Sequence, residues 1–428
     1  MKTCELNRML GLVFILTLFG CSGLSGSAMT STPTAISTKI FTSTPIIKTP
    51  VGTHLIPATE ESSEDILENC LEMFPFEAPP PVEIANHLLL LQGDSQPRSL
   101  FLLNVGNGIK TQITSSNSYE IFISPNHTQF GYVQSEEPSR EEFLTIHDSK
   151  GKIIKIMSLP LASFFWGWLD NDQIMITTKK DVDSTDPYAL FVFNLLDGAS
   201  KELSDQESYK DFYDVSYLAW QYNRVIYDPT LKFAIYPSHY GEAVTLYNVS
   251  SQEELSVLRA ITAHIASPVW SPDGNFVVVA GDPVQKDEET VLSRDTNELF
   301  LLDKLGNVTQ LTHFSKQYGR GEVGNVSWSP DGKHLAMWVS IGSNTDERLM
   351  ILNLDSRQVT NYCVTGMKFE WGFSMQPKPF WSPDSHIILI NNRDSINSPI
   401  NVIWVDIQNN RSGIFPTNAR LWGWLTSP

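Results

Sequence analysis

Nine histidines, a run of aspartates and a recurring set of tryptophans are the residues of this 428-residue chain whose types could support chemistry. A histidine pair at i, i+4 on a helix would build a zinc site, but no two histidines stand at that spacing. Asp181, Asp183 and Asp186 resemble the start of a calcium loop. An EF-hand needs Gly at its sixth position and Glu at its twelfth, and those positions hold Asp186 and Val192. The chain also lacks a G-x-S-x-G elbow, an H-E-x-x-H helix, a G-x-x-x-x-G-K-[ST] loop and a Cys pair with zinc spacing. An activated nucleophile, a metal-bound water and a phosphate cradle are therefore unsupported, and neither a metal nor a cofactor is expected. Glycan hydrolysis would need two carboxyl groups about 5–10 Å apart across a pocket, a geometry that only folding reveals.

With 30 Lys and Arg against 48 Asp and Glu, the formal charge is -18, which argues against counterion-displacing contacts to nucleic acid. A hydrophobic content of 41%, with 11 Trp, is enough to bury a large core. Lys2 and Arg8 precede the apolar run Met9–Phe19, which is too short to span a membrane and reads as a signal peptide. The following Gly20-Cys21 resembles a bacterial lipobox, which implies cleavage after residue 20 and lipidation of Cys21. Export would remove Lys2, Glu5 and Arg8 and take the charge from -18 to -19. Residues 30–64 are dominated by Thr, Ser and Pro without apolar periodicity, the composition of an extended tether. The expected organisation is a signal at 1–20, a lipidated tether and lead-in at 21–79, and one folded domain at 80–428.

The elements of that domain follow from an internal repeat. Val269-Trp-Ser-Pro-Asp-Gly, Ser327-Trp-Ser-Pro-Asp-Gly and Phe380-Trp-Ser-Pro-Asp-Ser each read as strand, tight turn, strand, with Pro presetting φ, Asp bonding backbone and Gly free to take positive φ. Degenerate copies occur at Ile123-Ser-Pro-Asn, Trp168-Leu-Asp-Asn and Tyr227-Asp-Pro-Thr, and a last, truncated one at Trp422-Gly-Trp-Leu. Between the anchors, apolar strands end in Asn104, Asp148, Asn194, Asn248, Asp303, Asn353 and Asp406, successive positions lying 44 to 55 residues apart. Units of about 40–50 residues with four short strands are propeller blades. The first hairpin has no anchor before it and the last anchor no hairpin after it. The C-terminal strand should therefore complete the first blade and close an all-β ring of seven four-stranded blades, with six as the alternative because 205–236 is poorly patterned. Trp270, Trp328 and Trp381 recur once per blade and so read as inter-blade packing rather than ligand stacking.

The Trp-Ser-Pro-Asp-Gly repeats resemble those of the TolB-like, WD40-like β-propeller families over roughly 80% of the chain. The resemblance is specific for fold and nearly silent on function. The family's namesake is periplasmic and carries an N-terminal α/β domain, absent here, so its partner interactions are not carried over.

With Cys4 in the signal and Cys21 assigned to lipid, Cys70 and Cys363 remain; in an exported chain they are expected either to bridge or to stay as two unrelated buried thiols. Long connections all fall where one face of the disc would be. Among them, 313–324 and 364–379 offer Lys316, Tyr318, Arg320, Lys368 and Trp371 as candidate binding residues. The leading expectation is a monomeric surface lipoprotein whose non-catalytic propeller binds or scaffolds a protein or cell-envelope component. The alternatives are an exported glycan-active hydrolase or lyase, and an envelope sensor or assembly factor.

Overall fold

A computed structural model describes residues 66–70, 73–77, 87–93, 98–114, 121–136, 141–159, 163–178, 189–203, 226–237, 243–259, 268–282, 297–319, 321–341, 347–367, 377–395 and 397–426. Seven antiparallel sheets, each with a core of four strands, form a seven-bladed β-propeller. Blade 1 is built from Arg420–Leu425 followed by His87–Gln92, Ser99–Asn104 and Lys110–Thr114. The C-terminal strand thus closes the ring, pairing from His87 with Leu425 to Leu91 with Arg420. Blades 2 to 7 follow in chain order, opening with Ile121–Ile123, Phe164–Trp168, Ile226–Tyr227, Val269–Trp270, Gly321–Trp328 and Phe380–Trp381. Opening strands of blades 1, 2, 3, 5, 6 and 7 touch that of a neighbouring blade, which places these strands innermost.

The core is divided into seven apolar layers, one between each pair of adjacent blades. The run Leu88–Leu91 shows how a strand serves two layers at once. Leu88 and Leu90 pack against blade 7 beside Leu389 and Trp404, while Leu89 and Leu91 pack against blade 2 beside Phe130 and Tyr132. Alternation sends successive side chains to opposite faces, and because both faces are covered the strand is apolar throughout. Blade 4, in the poorly patterned region, is complete, with strands Ile226–Tyr227, Phe233–Pro237, Ala243–Asn248 and Glu253–Arg259.

The Ser-Pro-Asp-Gly turns are held by one repeated device. The Ser271 hydroxyl donates to Asp273 at 2.6 Å and accepts the Phe276 N–H at 3.0 Å; Ser329, Ser382 and Ser124 do the same with Asp331, Asp384 and Asn126. The residue after the turn's acid takes positive φ, as Gly274 and Gly332 do; Ser385, at φ 63°, adopts it as well and accepts the Asp331 N–H of the neighbouring blade. In blade 4, Asp228 replaces the serine and accepts the Lys232 and Phe233 N–H groups. Its buried charge is met by Lys304 of blade 5 at 3.0 Å.

The tryptophans bind blade to blade through hydrogen bonds as well as packing. Trp270, Trp328 and Trp381 donate their indole N–H to the carbonyls of Ile226, Val269 and Ser327, each on the preceding blade's inner strand. At the closure, Trp424 donates back to Phe380 and Trp422 forward to Ile121, so the last strand is locked on both sides.

The described part of the lead-in adds two short strands to the propeller. Leu67–Glu68 adds in parallel to the outer strand Val359–Thr365 of blade 6, and Met73–Glu77 adds in parallel to the outer strand Arg411–Pro416 of blade 7. Both cover backbone groups that an outer strand would leave unpaired. Neither segment is long enough to carry a pattern of its own, so the receiving edge decides where they lie.

Candidate functional site

The strand order fixes which connections share a face. Turns between the first and second strands of a blade, such as 124–128, 271–275 and 329–333, and between the third and fourth, such as 105–109, 304–307 and 407–410, open on one side and are short. Asn or Asp organises all seven turns of the second kind, as when Asn104 accepts the Gly106 and Asn107 N–H groups. The strand ends that bound the other connections, among them the long ones at 203–225, 282–297 and 366–379, lie on the opposite side.

Of the residues proposed from sequence, Lys316 and Tyr318 lie on α1 (Phe314–Tyr318), in the connection from blade 5 to blade 6. Lys316 is exposed. Tyr318 is engaged by the lead-in: burial and the Glu68 carboxylate, to which its hydroxyl is hydrogen-bonded, push its phenol above the ordinary tyrosine value. It packs with Ile66 against the layer between blades 5 and 6. Its polar end is therefore committed to the fold. Arg320, Lys368, Trp371 and the lipidation candidate Cys21 lie outside the described residues, as does the aspartate run at 181–186.

The same lead-in brings Cys70 onto Cys363, with the two sulfurs joined and the Cα atoms 4.9 Å apart. Cys363 lies within the outer strand of blade 6, Val359–Thr365. The register there shifts between Arg348 and Met350, and Cys363 adopts φ 56°, the kind of local irregularity that re-aims a side chain. Around it, Asn361 donates to the Glu68 carboxylate at 2.8 Å, and Asn69 and Asn410 exchange amide hydrogen bonds. Glu68 and the two sulfurs lie within 4.8 Å of one another. With the sulfurs joined, no thiolate is present there to bind a metal.

On the long-connection side, a cavity of about 350 Å³ opens where blades 6, 7 and 1 meet. Arg98 enters from the connection inside blade 1, Arg393 from the end of Ile387–Asn392, and Arg420 from the start of the closing strand. Gln92, Ser398 and Asn418 add polar groups; Leu91, Met367 and Ile400 are among the apolar lining. Arg393 is buried. Burial and then the neighbouring charges of Arg98 and Arg393 hold the Arg420 guanidinium below its usual pKa. None of the described lining residues is acidic, so there is no carboxylate pair of the kind glycoside hydrolysis requires among them. Sequence reasoning missed the three arginines. The available signal was their position: each stands at or beside a strand end on the same side of consecutive blades.

Among the described residues, no helix is long and apolar enough to cross a membrane. The fold defines a seven-bladed β-propeller. No family model matches the chain. A segment of 109 residues, 25% of the chain, is 28% identical to the Tol-Pal system protein TolB of Francisella tularensis subsp. mediasiatica, of which it covers 22%. The same protein from F. tularensis subsp. tularensis matches at 28% over 109 residues, covering 21% of its length. The match thus spans about a fifth of these curated relatives. Among solved structures, TolB from Acinetobacter baumannii aligns over 78% of this chain and 81% of its own, with 12% identity and a TM-score of 0.40. A putative TolB from Agrobacterium tumefaciens aligns over 70% and 83%, with 14% identity and a TM-score of 0.35. The chain is thus a seven-bladed β-propeller, part of whose sequence is similar to TolB.

Proposed function

We propose that this protein is an exported lipoprotein, held to the outer face of a bacterial membrane through Cys21, whose monomeric propeller acts without catalysis as a binding or scaffolding module for a protein or other cell-envelope component. The observation that carries the reading is that the described strand ends bounding 203–225, 282–297 and 366–379 all lie on one side of the ring. Binding residues concentrate on such connections when a scaffold fixes their ends. The likeness of part of the chain to a Tol-Pal system protein supports an envelope role. The juxtaposition of Cys70 and Cys363 suits an oxidising compartment.

Three experiments test the reading. Cross-linking in intact cells followed by capture of the full chain should recover a specific envelope partner, and shortening 282–297 and 366–379 to Gly-Ser turns should abolish recovery while the thermal transition stays cooperative. Capture unchanged by the shortened connections, or no specific capture, refutes the binding role. Separately, Cys21→Ala should lose incorporation of a palmitate analogue and leave the membrane fraction; retained labelling refutes the anchor. Mass spectrometry of an unreduced digest should find Cys70 linked to Cys363, and two free thiols would refute the bridge.

A further inference from the structure

Three guanidinium groups converge on one cavity in a chain whose acidic residues outnumber its basic ones by 48 to 30. Like charges brought together in a partly buried space repel, and folding alone gives no reason to assemble them. The Nε atoms of Arg98 and Arg420 are buried without a hydrogen-bond partner among the described residues. Arg420 does lie over the Trp422 ring, 5.3 Å from its centroid, which supports the flat face of the guanidinium but satisfies none of its N–H donors.

We propose that this cavity binds a small organic polyanion through its carboxylate or phosphate oxygens. Guanidinium forks match the spacing of oxygen pairs on both groups and bind them bidentately. A volume of about 350 Å³ exceeds what a lone phosphate or sulfate fills, since a water occupies only about 30 Å³ of liquid. Leu91, Met367 and Ile400 give the remainder of the space an apolar wall, which suits a carbon skeleton carrying two or three anionic groups. The bound charges would offset the repulsion among the arginines. The site comprises the ends of three blades that meet only when the ring closes. It is independent of the scaffolding role proposed above.

The test uses the full mature chain in a buffer free of oxyanions, with citrate and inorganic phosphate as probes. Calorimetry should show one citrate site, and citrate should raise the melting temperature while sodium chloride at matched ionic strength does not. Arg98→Gln with Arg420→Gln should weaken citrate binding by at least about tenfold, the loss of one or more charged hydrogen bonds. Arg420→Met should melt higher than the parent in the oxyanion-free buffer, because it removes a repelled charge, and should lose the response to citrate. An equal response to phosphate assigns the site to phosphate chemistry, and a response to citrate alone assigns it to carboxylates; both support the proposal. It is overturned if neither probe binds at about 10 mM, far above any specific affinity, if sodium chloride reproduces the shift, or if the double variant binds citrate as the parent does.

Discussion

Asp228 stands where other blades use serine, and its carboxylate is fully buried against Lys304, whose side chain is 25% exposed. At 3.0 Å and an effective dielectric near 20, the Coulomb attraction is on the order of 5 kcal/mol. Desolvating the carboxylate offsets several kcal/mol of this, so a net coupling of about 1–3 kcal/mol is expected. Lys304 also lies over the Phe233 and Trp270 rings at 5.0 and 6.0 Å, which fixes it between blades 4 and 5. A double-mutant cycle with Asp228→Asn and Lys304→Met, followed by urea denaturation at pH 7, isolates the pair term. The cycle should return about 1–3 kcal/mol and fall little at high salt, because a buried pair is weakly screened. The turn itself offers a second check. Asp228→Ser alone leaves Lys304 without its counter-charge and should cost about 2–4 kcal/mol. Adding Thr230→Asp rebuilds the hydroxyl-to-carboxylate arrangement seen at Ser271 and Asp273, and should recover at least half. A coupling below about 0.5 kcal/mol, or no recovery in the Asp228→Ser, Thr230→Asp variant, refutes the view that this ion pair substitutes for the serine turn.

Three further outcomes are expected. Gly306→Ala places a methyl group 2.6 Å from the Leu255 carbonyl at φ 86° and should cost about 2–4 kcal/mol. Gly332→Ala, at φ 71° with nothing within 4 Å, should cost only about 1 kcal/mol; equal losses in urea denaturation would contradict the steric account. Trp381→Phe leaves the Ser327 carbonyl, bonded at 3.2 Å, without its donor, and should cost about 1–3 kcal/mol, visible as a lower melting temperature; an unchanged one would refute the inter-blade role. His147 is held neutral by burial, its Nδ1 bonded to the Gly151 carbonyl and its Nε2 to Tyr132. Its folded pKa lies below the unfolded value near 6.5, so the unfolded chain takes up the proton first. Its contribution is complete above about pH 6.5 and is lost as pH falls through the window beneath it. His147→Gln should flatten stability as pH falls below about 6.5, and an unchanged slope would rule out this residue as its source.

The blade count was legible because its determinants are local. A serine two residues before an acid, with a glycine next, specifies a turn whatever lies around it, and all seven Asn or Asp hairpin ends accept backbone N–H groups as their spacing implied. Blade 4 was hard to read because Asp228 replaces the serine and its partner, Lys304, is 76 residues away. The lead-in strands escaped notice for a different reason. Leu67–Glu68 and Met73–Glu77 are defined by the edges that receive them, and sequence does not show a borrowed hydrogen-bond ladder. Arg98, Arg393 and Arg420 are more than 300 residues apart at the extremes and become neighbours only through ring closure. Tyr318 looked available for recognition because its Glu68 partner lies in a segment that reads as a linker.

The closing strand also sets a schedule. Arg420–Leu425 is the last described strand in chain order, yet its partner, His87–Gln92, comes first among the blade strands. Until the two pair, the apolar run Leu88–Leu91 has an empty inner edge, and the layers on either side of blade 1 cannot form. Contacts that span almost the whole chain are slow to make and leave the incomplete chain open to strand pairing with other molecules. A truncation after Ala419 would therefore remove few residues but would freeze the ring at this vulnerable stage. Trp422 and Trp424, by bonding to both neighbouring blades, turn the docking of this strand into the event that commits the fold.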